Sequence, residues 1–148
     1  MTPVQSAAGF AACVNTSAQL PVDAVALDAR WARRFVTGFL ALLEVSDEVV
    51  ADMGVVAGEL LANALAYGKP GEPVSVQLSY RPKSAVVRLQ VDDGSDREAV
   101  IREAGPDDTG GRGMALVQAL TAEHEGRWGT SAGGRSTWCE VHDTGAAA

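Results

Sequence analysis

Glu59 and Asn63 are the residues of this sequence best placed to do chemistry. They stand four apart in the apolar run ELLANALAYG (59–68), so a helix through them projects a carboxylate and an amide from one face, about a turn apart. A carboxylate there can orient a nucleophile, and an amide oxygen can ligate Mg²⁺. A solvated helix face carries the same residue types, so the pair alone does not decide. Asp92-Asp93-Gly94 follows an alternating run. It reads either as a simple Asp–Gly turn or as a carboxylate that accepts a hydrogen bond from an adenine amino group, with Gly94 letting the ring lie against the backbone. Gly110-Gly111-Arg112-Gly113-Met114 precedes a short helical pattern. Glycines at that place let backbone N–H groups converge on a phosphate at the positive end of the helix dipole. The segment matches neither a Walker A loop nor a dinucleotide fingerprint, because no lysine with Ser or Thr closes it and no parallel strand precedes it.

These groups need elements to hold them. Pro21 and Asp23 open a helical pattern to about Leu43, with a main stripe of Ala24, Leu27, Trp31, Phe35, Phe39 and Leu42. Ser46 is an N-cap candidate for a second helix, with Asp47 and Glu48 in its first turn and Gly68 and Pro70 at its end. The period then becomes two. Val74, Val76, Leu78 and Tyr80 share one side, and after Arg81-Pro82-Lys83-Ser84 the rhythm resumes at Ala85, Val87, Leu89 and Val91, which implies a hairpin. From Asp92 to Gly113 the chain is polar and aperiodic, a long loop with the character of a functional lid over 95–112. A short helix at Met114–Thr121 and strands near Arg127–Thr130 and Ser136–Val141 follow, with a possible first strand at Phe10–Thr16 and a frayed tail from Asp143. The expected fold is an α+β two-layer sandwich, a mixed, mostly antiparallel sheet with helices on one face, formed by one domain over 1–148.

Composition sets limits. With 47% apolar and 21% charged residues the chain has ordinary globular usage. A net charge of -7 and a pI near 4.7 argue against direct nucleic-acid or anionic-membrane binding. Backbone N–H groups can still hold a phosphate. Cys13 and Cys139 read as reduced small hydrophobes, and with His124 and His142 they make no metal-ligand spacing. No export signal or bilayer-length apolar run is evident, so the expectation is a cytoplasmic protein.

Taken in order, ELLANALAYG (59–68), VDDG (91–94), GGRGMALV (110–117) and GGRSTW (133–138) resemble the Bergerat-fold ATPases, the superfamily of gyrase, the heat-shock-ninety chaperones, histidine kinases and the mismatch-repair ATPase. Within it, the short length and the helix before Glu59 resemble the small anti-sigma-factor serine kinases of bacteria. The resemblance covers about residues 20–142. It implies ATP and Mg²⁺ as cofactors, Glu59 as catalytic base and Asn63 as the Mg²⁺ ligand. It further implies Asp92 and Gly94 at the adenine, Gly111, Arg112, Gly113 and Met114 around the triphosphate, and Ser136 or Thr137 as a hydroxyl near the adenine. Three features depart from the pattern: Tyr67 stands where a histidine is frequent, Asp96 where many relatives carry glycine, and the lid is shorter than in the sporulation kinase. Neither histidine sits in a phospho-acceptor context.

On the first helix, Val36, Leu40 and Leu43 fall away from the main stripe, beside Arg33. A helix apolar on two sides implies a second cover: another copy, a partner, or the chain's own start. The Trp31-Ala32-Arg33 stretch also resembles the place where the sporulation kinase presents a partner-contacting arginine. Arg33, Val36 and Leu40 are therefore the expected partner-binding residues. The function this implies is an anti-sigma factor and protein-serine kinase, with a sigma factor and an anti-anti-sigma protein as partners and homodimerisation possible. The alternatives are a non-catalytic ATP-dependent binding module and a stand-alone histidine-kinase ATP domain.

Overall fold

Val74, Val76, Leu78 and Tyr80 are buried and their neighbours are not, as a half-covered strand requires. The computed structural model describes residues 13–20, 29–67, 73–93, 109–131 and 136–145. In chain order these form β1 (Val14–Leu20), α1 (Ala29–Leu42), α2 (Asp47–Tyr67), β2 (Val74–Arg81), β3 (Val86–Asp92), α3 (Thr109–Glu123), β4 (Arg127–Thr130) and β5 (Ser136–His142). The strands make one sheet in the order β1-β2-β3-β5-β4, and all four described pairings are antiparallel rather than mixed. The fold is the expected α+β sandwich. Val76, Leu78, Val87, Leu89, Val91, Cys139 and Val141 face the helices and join Met53, Leu60 and Leu61 of α2 in one core. Burial pushes the Cys139 thiol up to about 12, so it is an inert core side chain.

β1 lies later than its expected place at 10–16. It pairs with β2 from Val14 opposite Tyr80 to Leu20 opposite Val74, while residues 10–12 lie outside the described residues. The Met114 helix is longer than expected and starts at Thr109, so Gly110, Gly111 and Gly113 are inside a helix and not in a loop before it. The lid expected at 95–112 otherwise lies outside the described residues.

α2 is the central helix. Ser46 caps it: the Val50 N–H donates to the Ser46 carbonyl at 2.9 Å. The Ser46 N–H and hydroxyl both donate to the Asp143 carboxylate, at 2.8 and 2.6 Å. Asp143, expected in a frayed tail, is only 2% exposed, because these bonds and its own N–H to the Ala85 carbonyl (2.8 Å) tie it down. By length and composition alone the Asp47–Ala66 stretch of α2 is apolar enough to cross a membrane, contrary to the expectation that no run is long enough. Its apolar residues Val49, Met53, Val56, Leu60, Leu61 and Ala64 go into the core instead.

α1 crosses α2 at Gly54, where an added Cβ would lie 2.7 Å from Thr37 Cγ2 and 3.0 Å from Arg33 Cγ. This close approach decides which side of α1 is inside. Ala32, Val36 and Leu40 are fully buried, so Val36 and Leu40 are core residues and offer no partner surface, contrary to expectation. The described part of the stripe expected to be the core, from Trp31 to Leu42, is the outer one. Trp31 and Phe35 are half-buried and stack on each other at 5.3 Å, and Leu42 is 83% exposed. α1 ends in a Schellman turn, with Glu44 at φ 59° and the Val45 N–H bonded to the Leu40 carbonyl.

Candidate functional site

At about 100° per residue, Asp52, Glu59 and Asn63 fall within about 40° of one another on α2. All three are half-buried among buried Val56, Leu60 and Ala64. This is the stripe that α3 covers. The inner positions of α3 are Gly113, Met114, Val117 and Thr121, and His124 follows in the turn at its end; all five are buried. Two contacts fix its course. At its start, a Cβ on Gly113 would lie 3.3 Å from Glu59 Oε1 and 3.7 Å from Glu59 Cδ, so the glycine lets the backbone come up to the carboxylate without crowding it. At its end, His124 Nε2 is 2.7 Å from Asp52 Oδ2. Gly113 meets the later residue of α2 and His124 the earlier one, so α3 runs antiparallel to α2.

The structure therefore brings Glu59 and Gly113 together from motifs far apart in sequence, with Asn63 one turn along the same face. Met114 is 1% exposed and its side chain fills the core. The N–H groups without a partner inside α3 are those of its opening turn, which holds Gly110, Gly111 and Arg112. Gly94 lies outside the described residues.

The sheet register sorts the adenine candidates. Val91, opposite Thr137, is on the helix face with Val87 and Leu89, whereas Asp92 is opposite Ser75 and Ser136 on the other face with Arg88 and Gln90. Gln90 Nε2 donates to Ser136 Oγ at 3.5 Å across that outer face. Alternation from Val91 returns to the helix face at Asp93, which is half-buried. Of the expected adenine residues, Thr137 shares the side of Glu59, and Asp92 and Ser136 do not; Asp93, which the sequence reading did not single out, follows β3 on the helix side by that alternation. Counting by two from Val87 reveals this in the sequence.

The outer face has its own chemistry. Arg88 donates to Glu140 Oε2 at 2.9 Å, and Arg127 reaches Glu140 Oε1 at 3.4 Å. Both guanidinium groups lie over Trp138, at 4.6 and 5.6 Å from its ring centroid. Burial alone would raise the Glu140 carboxyl, but the bond and charge of Arg88, with Arg127 beside it, outweigh that and hold it below its ordinary value. A hollow of about 360 Å³ opens on this face beside Asn15, Ser17, Gln77, Ser79, Arg88 and Gln90. The sheet separates it from Glu59, so it is no part of the site.

One further cluster escaped the sequence reading. Ligand atoms of Asp52, Glu123 and His124 lie within 4.8 Å of one another. The short Asp52–His124 distance makes this a hydrogen-bonded contact between α2 and α3.

The residues present fit a Mg²⁺-nucleotide. A carboxylate and an amide share one helix face, a glycine lets the backbone of α3 come close to them, and a helix opening turn supplies N–H donors. No curated protein matches the chain. A family model matches residues 21–146, most of the sequence and all four motifs, and on that match the chain belongs to the histidine kinase-like ATPase domain family.

Proposed function

We propose that this domain holds Mg·ATP between α2 and α3 and passes the γ-phosphoryl group to a serine hydroxyl of a partner protein, as in the anti-sigma-factor kinases it resembles. The observation that carries the reading is the 3.3 Å approach of the Gly113 Cβ position to Glu59 Oε1, which brings the start of α3, with its free N–H groups, against the α2 face that holds Glu59 and Asn63. In this reading Glu59 accepts the proton of the serine hydroxyl while its oxygen forms the new bond to phosphorus and the bond to the ADP oxygen breaks. Asn63 holds Mg²⁺ through its amide oxygen, and the metal supplies charge neutralisation at the phosphates. The opening turn of α3 donates N–H groups to phosphate oxygens. Asp93 takes the adenine role in place of Asp92, with Thr137 beside it, because both share the helix face.

The resemblance supports the choice of partners: a sigma factor held on one surface, an anti-anti-sigma protein as phosphoryl acceptor, and a bacterial cytoplasm as setting. Arg33 remains available for docking, exposed at its head with its stem against Gly54. The test is incubation with labelled ATP and candidate acceptor proteins. Wild type is expected to label an acceptor serine, and Glu59→Ala to bind ATP without labelling it. ATP binding with no acceptor labelled by wild type would replace the kinase with an ATP-dependent binding module.

A further inference from the structure

We propose that the Asp52–His124 contact is a positioning latch: it sets where α3 lies along α2, and through that how Gly113 seats against the Glu59 carboxylate. The proposal rests on the nucleotide-site reading for its consequence, and on independent geometry for its existence. His124 is 4% exposed, and its Nε2 lies 2.7 Å from Asp52 Oδ2. It is a side-chain hydrogen bond running from α2 to the end of α3. The other inner residues of α3, Met114 and Val117, make apolar contacts, which resist separation but fix no direction. Thr121 spends its hydroxyl on its own helix, at the Gln118 carbonyl. A directional bond is needed to fix the slide and roll of one helix on another, and His124 supplies it.

The far side of His124 is anchored too. Its carbonyl accepts the His142 N–H of β5 at 3.0 Å, and His142 Nδ1 lies 3.2 Å from the Glu125 carbonyl. The turn closes through Gly126 N–H to the Thr121 carbonyl at 2.8 Å. Gly126 is pinned there, because a Cβ on it would collide with the Glu140 carbonyl oxygen. The end of α3 is thus tied to the sheet through its backbone and to α2 through one imidazole. Asp52 is seven residues before Glu59 on the same stripe, and His124 eleven after Gly113 on the inner side of α3. α2, over roughly 10 Å, and α3 with the turn at its end, over roughly 16 Å, therefore connect the latch to the site. Glu123 brings a second carboxylate to the latch, on the exposed side.

The test uses His124→Leu, Asp52→Ala, their double variant, and His124→Gln, whose amide N–H falls where Nε2 stood. Mg·ATP affinity is measured by calorimetry at a temperature where circular dichroism shows each protein fully folded. Lost stability alone does not change Kd under that condition, since the folded fraction stays near one. His124→Leu and Asp52→Ala should each weaken binding about tenfold, the double variant no further than either, and His124→Gln should return to within about threefold of wild type. Wild-type affinity in folded His124→Leu overturns the latch, and so does failure of His124→Gln to restore it. A second readout is amide exchange of residues 113–117 without nucleotide. It should quicken in His124→Leu and recover in His124→Gln, and unchanged exchange overturns the proposal. If wild type binds no Mg·ATP, the nucleotide reading fails while exchange still decides whether the latch positions α3.

Discussion

Replacing Gly113 by alanine adds one methyl group at the point where α3 meets the Glu59 carboxylate. The new Cβ would stand 3.3 Å from Oε1, 3.7 Å from Cδ and 3.8 Å from Cβ of Glu59, so only the carboxylate oxygen is too close. That oxygen ends a flexible side chain and can turn aside by a few tenths of an ångström, which places the clash at the low end of overpacking costs, about 1 kcal/mol. Position 113 is inside α3, where exchanging glycine for alanine favours the helix by roughly 1 kcal/mol. The two effects oppose each other, and net stability should move by less than about 1 kcal/mol. Catalysis has no such offset. Displacing a base by a few tenths of an ångström should lower phosphoryl transfer roughly three- to tenfold, given that about 1 Å can cost a hundredfold. Urea denaturation reads the first quantity and single-turnover transfer of labelled phosphate the second. Unchanged transfer in a folded Gly113→Ala protein would refute the approach as a functional feature. A stability loss above about 3 kcal/mol would show that the glycine serves packing instead.

Three further outcomes follow from named contacts. Asp93→Asn should weaken ATP binding at least about tenfold while Asp92→Asn stays near wild type, because the carboxylate on the helix face pairs with the base; the reverse order in a calorimetric titration would return the role to Asp92. Asp143→Ala strips the Ser46 N–H and hydroxyl of their acceptor at the start of α2 and should cost ~1–3 kcal/mol in urea denaturation, with a loss below about 0.5 kcal/mol counting against it. Glu140 has its folded-state carboxyl lowered, so its contribution is present above the ordinary carboxylate value of about 4.3 and fades as pH falls through the lower folded value. The stability gap between wild type and Glu140→Gln should therefore be less than about 1 kcal/mol at neutral pH, since Arg88 and Arg127 are partly exposed, and should shrink in acid; a gap that grows in acid would contradict the assignment.

The sequence disclosed what depends on short spacings and hid what depends on distant partners. α2 was legible because its cap, its acidic first turn and its apolar period agree within one segment. The β2–β3 hairpin was legible because alternation on both sides of a short link leaves one register. The inner face of α1 was not, because its large aromatics dominate the helical pattern, while the residue that decides the crossing, Gly54, belongs to another helix. The glycines of α3 suggested a loop, yet they lie in a helix whose start is held against α2. Asp143 and His124 could not be read at all, since their partners Ser46 and Asp52 stand 97 and 72 residues away. The pairing of Glu59 with Gly113 was legible only as the joint order of weak motifs, and the fold turns that order into a contact.

The central claim is that Mg·ATP is held between α2 and α3 with Asn63 on the metal. The most direct measurement is a calorimetric titration of wild type and Asn63→Ala with ATP, each with Mg²⁺ and with EDTA. Wild type should bind ATP more tightly with Mg²⁺ than without. Asn63→Ala should lose most of that Mg²⁺-dependent gain while melting at nearly the same temperature, because the amide is half-buried and makes no side-chain hydrogen bond among the described residues. Equal Mg·ATP affinity for the two proteins, or affinity that ignores Mg²⁺ in wild type, would contradict the site.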